Sequence, residues 1–217
     1  MSDPGRHLDE PAAHDGIDIH VWHEVRRIHT DWLADTRYGS APEPDLDEYA
    51  RRLTARINRL EAWLLEEMVT TWITAYAGQL PTVAQVAAWS RIAYADARHQ
   101  VLCEDLYRAI PSEVLAAEHS RTADVAVRRY AGTTSRPHPD RWRIGGAAIQ
   151  TSPAAEAVVA RTWPTMRSPA FISTARTLVQ VRVEDGLPIP ATPLDPLAEE
   201  LETMVHDHLA AENLPPI

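Results

Sequence analysis

From Ile17 to Asp35, apolar side chains return every three or four positions, at Ile17, Val21, Val25, Ile28 and Trp32. That recurrence draws a single stripe along a helix of about 3.6 residues per turn. The segment TRYGSAPEP, with Gly39, Pro42 and Pro44, breaks the stripe, and Asp45 followed by Glu48 has the form of a capping box for the next helix. From Asp45 to Tyr76 the pattern is the cleanest in the chain, with Leu46, Tyr49, Leu53, Ile57, Leu60, Leu64, Met68 and Trp72 on one face. Arg51, Arg52, Arg56, Arg59 and Glu66 mark its solvated side. The second half of this long helix is different, because Trp63, Ile73 and Tyr76 make it apolar on more than one side. Such a helix needs several partners.

Gly78 ends the long helix, and Thr82 with Gln85 supplies a second capping box. A third helix is predicted from Thr82 to Ile110. It is apolar nearly all round, which places it at the centre of a bundle. Pro111 and Ser112 start a fourth helix that runs to Tyr130 and is stopped by Gly132. The texture then changes. TTSRPHPDRWRIGGAAIQ holds two prolines, two glycines and three arginines and reads as a loop, while Ser152-Pro153 and Ser168-Pro169 each pair an N-cap residue with proline at the first helical position. In LVQVRVEDG, Val179, Val181 and Val183 alternate with Gln180, Arg182 and Glu184, which fits a strand as well as a helix tail. Its candidate partner in a small β-hairpin is the stretch from Arg143 to Gln150. A last amphipathic helix carries Leu197, Leu201, Met204, Val205 and His208 on one side.

The fold class expected is therefore all-α: a bundle of four main helices over 16–131, a flexible arm at 1–15, and a less regular C-terminal region over 132–217 with short helices and room for the hairpin. An apolar fraction of 45% and a charged fraction of 24% are those of an ordinary globular chain. The opening residues have no apolar core of the kind a secretory signal requires, so the expected location is the cytoplasm.

Three features of composition narrow the chemistry. Cys103 is the single cysteine, which excludes an intrachain disulfide, a CxxC redox pair and a cysteine-rich metal cradle. All 21 basic residues are arginine, and a lysine-free chain has no Walker-type phosphate lysine and no Schiff base. The net charge of -10 is uneven: both ends are acidic, whereas Arg121 to Arg176 holds nine arginines against Asp124, Asp140 and Glu156. A basic middle in an acidic chain can bind an anion locally.

Several constellations invite a catalytic or binding reading. In HEVRRIH, residues 23–29, the histidines stand six positions apart and face about 120° away from each other, whereas zinc-protease helices need a spacing of four. That face reads as solvated, with Glu24 paired to Arg27. Asp96, His99 and Cys103 share one side of the third helix and are the candidate metal-ligating group, Asp96 and His99 foremost. The structural alternative is a satisfied polar cluster, with Asp96 accepting a hydrogen bond from the His99 ring. Glu202 and His206 share a face of the last helix, but two groups do not hold a metal tightly. Arg136, Arg141 and Arg143 around Trp142 form a candidate nucleic-acid contact, arginine for phosphate and tryptophan for a base.

Neither a second Glu-x-x-His motif nor an oxyanion donor is legible, so no catalytic residue and no cofactor are expected. Seven tryptophans against one phenylalanine are more large amphipathic rings than single stripes can bury. The function expected is that of a non-enzymatic helical interaction or assembly protein, a homo-oligomer or a component of a larger complex such as a virion or mobile element. A nucleic-acid accessory protein using 121–176 is the runner-up, and a metal-dependent hydrolase the third reading. Protein is the expected partner, nucleic acid the alternative, and no membrane is expected.

Overall fold

A computed structural model describes residues 16–33, 45–130, 138–144, 149–164 and 167–212. The expected arm at 1–15, and Arg136, Gly132 and the Gly145-Gly146 pair, lie outside the described residues. Eight α-helices account for most of what is described and no strand occurs among those residues, so the all-α class holds. No helix of the described residues is long and apolar enough to cross a membrane. By internal contacts the chain divides into two compact units, Met1–Leu106 and Tyr107–Ile217.

The first unit holds α1 (Ile19–Ile28), α2 (Leu46–Ala75) and α3 (Val83–Val101). Asp18 caps α1, its carboxylate accepting from the backbone N–H groups of His20 and Val21 at 2.8 and 3.0 Å. The stripe buries Val21, Trp22, Val25 and Ile28 against the first third of α2, where Ala50, Leu53, Thr54 and Ile57 are buried in turn. Two polar bonds fix this crossing. The Trp22 indole donates to Asp47 at 2.6 Å, and the Asp18 N–H donates to the Thr54 hydroxyl at 3.1 Å. Asp45 caps α2, although Glu48 turns outward to Arg51 instead of closing the predicted box. The box predicted at Thr82 and Gln85 closes in both directions.

The predicted third helix does not run unbroken to Ile110. α3 widens after Val101 into a π-helical turn, Leu102–Leu106, and then tightens into a 3-10 turn, Tyr107–Ala109, before Pro111. α1 also ends in a π-helical turn, His29–Leu33. An inserted residue of this kind rotates everything beyond it and ends a stripe without a glycine or proline to announce it. The division into units falls at this break, between Leu106 and Tyr107, not in the loop near residue 131. Consequently the predicted fourth helix, α4 (Ser112–Tyr130), groups with the second unit, and the first contains three helices among the described residues, not four.

The second unit adds α5 (Arg141–Ile144), α6 (Pro153–Thr162), α7 (Pro169–Asp185) and α8 (Pro196–Ala211). Ser152 and Ser168 cap α6 and α7, with proline following each as predicted. α7 is the axis of this unit. Thr177, Leu178, Val179, Gln180 and Val181 are all buried in succession, because α5, α6 and α8 each pack on it. This corrects the strand and hairpin expected here: the alternation of Val179, Gln180 and Val181 is that of a helix enclosed on several sides, not of a pleated ribbon with one wet face. Gln180 is satisfied inside, accepting from the Ser152 N–H at 2.9 Å and donating to Glu184 at 3.1 Å. Gly186 closes α7 at φ 65°, where a side chain would be strained, and the Leu187 N–H returns to the Arg182 carbonyl at 2.8 Å.

Phe171, Trp163, Leu178 and Leu201 form the centre of the second unit with Trp142. Phe171→Ala is expected to cost about 3–5 kcal/mol in denaturant unfolding, whereas Leu80→Ala, at an exposed position, should change stability by less than about 0.5 kcal/mol. A neutral Phe171→Ala would remove that ring from the core.

Candidate functional site

Asp96, His99 and Cys103 lie on one side of α3 and its π turn, half-buried, but they do not assemble as expected. The Cys103 sulfur sits 3.8 Å from both nitrogens of the His99 ring, and no Asp96–His99 hydrogen bond is present among the described residues. Burial lowers the His99 pKa below its ordinary 6.5, and the nearby Asp96 charge opposes this without reversing it. A neutral imidazole beside a thiol brings two ligand-type groups together, too few by themselves to hold a metal tightly. Among the described residues no group of three or more His, Cys, Asp and Glu side chains is placed to hold a metal ion.

The basic stretch is likewise turned inward. Trp142 is 2% exposed and belongs to the core of the second unit, its ring edge-on to His208 at 5.3 Å. Arg141 grips the buried Asp185 with both terminal nitrogens, at 2.7 and 2.8 Å, and reaches Glu184 at 2.9 Å. Arg143 covers the Trp142 face at 4.5 Å and lies 3.6 Å from Asp140. The stacking face and the strongest phosphate fork of the predicted contact are thus already occupied within the fold. Arg136 falls outside the described residues. Sequence reasoning treated these arginines as available because Asp185 and Glu184 lie more than forty positions away.

The remaining constellations are structural as well. Glu24 holds Arg27 bidentately at 2.9 and 2.7 Å, as the spacing on α1 predicts. Glu202 accepts from the Trp163 indole at 3.1 Å and pairs with Arg167 at 2.7 Å, with His206 at 3.5 Å. It therefore ties α8 to the end of α6. A polar junction that sequence reasoning missed holds the π turn of α3 to α2: the Tyr49 hydroxyl donates to the Asp105 carbonyl at 2.7 Å, and Arg56 pairs with both Glu104 and Asp105. Beside it lies a groove of about 510 Å³ between Tyr49, Arg52, Arg56, Arg59 and Asp105. Arg56 is already neutralised there.

What stands out is the outer part of the α2/α3 hairpin. Between Asn58 and Ile92 no residue is fully buried, although Leu60, Leu64, Met68, Trp72, Ile73, Val86, Trp89 and Ile92 are all apolar; each is only partly buried. Trp63 is 56% exposed, Tyr76 49%, Leu80 79% and Val83 87%. From Met68 to Ser90 the chain carries no acidic, basic or histidine residue. The tip is ordered nonetheless: Tyr76 stacks on Trp72 at 3.8 Å, Trp89 tilts against Trp72 at 5.5 Å, and Ala77 and Gly78 turn the chain at φ 52° and 85°. An uncharged surface that leaves several large apolar side chains exposed on a well-formed element marks an interaction site more often than a solvated one. The uncharged run is the signal that would have found it, since a solvated helix face carries charge every turn.

Comparison with family models, with curated proteins and with solved structures finds no match.

Two outcomes follow from this geometry. Arg141→Ala is expected to cost about 3 kcal/mol or more, because it strands the Asp185 carboxylate in the core; unfolding in denaturant measures it, and a neutral result would mean the pair is not closed. His99 and His29 both have pKa values lowered by burial. The unfolded chain therefore takes up their protons first, so stability is lost as pH falls below about 6.5. His99→Gln should flatten part of that slope between about pH 7 and 5 in denaturant midpoints.

Proposed function

We propose that this chain is a non-enzymatic helical interaction protein that works by offering the outer α2/α3 arm, residues 58–92, to an apolar protein surface. One observation carries the reading: a well-formed helical hairpin that leaves its aromatic and aliphatic residues only partly buried over its whole outer length, with Trp63, Tyr76, Leu80 and Val83 exposed and no charge from Met68 to Ser90. Water is a poor solvent for such a face, and burying it gains about 25 cal/mol per Å². A folded protein that tolerates the exposure has a partner for it.

Catalysis is the weaker reading, because the charged groups of the candidate sites engage one another. Arg141 is spent on Asp185 and Glu184, Arg56 on Glu104 and Asp105, and Glu202 on Trp163 and Arg167. A nucleic-acid role through Arg141, Trp142 and Arg143 is weakened by the same accounting and by the burial of the tryptophan.

The test places a photo-crosslinking amino acid at Val83 on the arm, or at Val127 on α4 as an exposed control, in cells that produce the full chain. A protein adduct is expected at 83 and not at 127. Equal crosslinking at both positions, or none at 83, sinks the reading. A parallel titration with labelled single-stranded DNA at about 50 and 200 mM salt is expected to show no steep salt dependence. Tight, salt-sensitive binding that Arg143→Ala abolishes would move the function to the nucleic-acid side.

A further inference from the structure

Resting on the reading of the arm as a contact surface, we infer that its occupant is the arm of a second copy of this chain, the two hairpins closing into a four-helix bundle about a two-fold axis. The argument begins with what a hairpin lacks. Two packed helices share a line of contact but enclose no interior, so α2 and α3 beyond Asn58 bury nothing completely. Two hairpins laid face to face do enclose one, and this is the up-and-down bundle with helices about 20° from antiparallel.

The area is sufficient. Over 58–75, α2 runs about 27 Å at about 1.5 Å per residue, and two helices with axes about 9 Å apart span roughly 20 Å across. One face of the arm then covers about 540 Å², and two faces joined remove about 1,100 Å² from water, above the roughly 1,000 Å² a specific interface requires.

The symmetry follows from where matching surface exists. The exposed large apolar residues of the second unit are scattered: Val125 and Val127 on α4, Ile144 on α5, Val183 on α7, and Leu194. The arm matches itself, and a self-matching patch produces a closed pair, not a chain of subunits. Lipid is the poorer occupant. Thr70, Thr71, Thr74, Gln79, Thr82 and Gln85 are spread through the tip, and neither helix is apolar enough to cross a bilayer. Such a mixed surface fits a protein groove, where hydroxyls and amides find acceptors.

The experiment is sedimentation of the purified full chain from about 1 to 100 µM, wild type against Leu80→Glu/Val83→Glu. Both positions are exposed, and Val83 is the first residue of α3, where a carboxylate favours the helix; the variant should therefore fold, and circular dichroism checks it. The expected result is a wild-type particle of about twice the 24.2 kDa chain mass, and a variant whose dissociation constant rises by at least about 100-fold. A wild-type monomer at about 100 µM overturns the second copy as occupant. So does a dimer that persists unchanged in the folded variant, which would place the interface elsewhere. Partition of the wild type onto vesicles of phosphatidylcholine and phosphatidylglycerol, lost in the variant, would assign the face to lipid. The contact reading itself stands or falls separately, on whether position 83 yields any protein adduct.

Discussion

Two helices side by side have no inside, and that constraint governs the first unit. Where α1 crosses α2, a third element is present and burial is complete, from Val21 and Ile28 on one side to Leu53 and Ile57 on the other. Beyond Ile57 the third element stops while α2 continues for another eighteen residues. The apolar stripe does not stop with it. The result is a hairpin whose root is a packed core and whose far end depends on α2 against α3, with an aromatic group of Trp72, Tyr76 and Trp89 holding the tip.

The second unit solves the same problem by enclosure. α7 has neighbours on several sides and so can bury polar as well as apolar residues, provided each is satisfied. Gln180 bonds the α6 cap and Glu184, while Asp185 receives Arg141 from α5. The pairing of Arg141 with Asp185 and Glu184 turns the most basic stretch of the chain into a clasp between a four-residue helix and the core. Hydrogen bonds hold the Glu184 carboxyl below its usual pKa, chiefly that from Gln180 and then that from Arg141, so the clasp stays ionised into mild acid.

Much of this architecture was legible in the chain. Periodicity located α1, α2, α3 and α8, and the caps at Asp45, Thr82, Ser152 and Ser168 lie where the sequence places them. Two things were not. The π turns after Ile28 and Val101 leave no compositional mark, because an extra residue in a helix needs no special side chain, and with them went the boundary between the units. The alternation at Val179 to Val183 was ambiguous because period two and full burial look alike over five residues. As for sites, spacing within one helix was read correctly at Glu24 and Arg27. Spacing cannot reveal partners from distant segments, so the engagement of Arg141, the burial of Trp142 and the Tyr49–Asp105 junction emerged in three dimensions.

The tip of the hairpin has one further consequence. With no ions between Met68 and Ser90, whatever holds to it is held by the expulsion of water and by close packing. The first of these forces fades as water is chilled and is strengthened by salts such as sulfate and phosphate. A grip of this kind loosens in the cold, whereas the Arg141 clasp in the other half of the chain answers to acid instead.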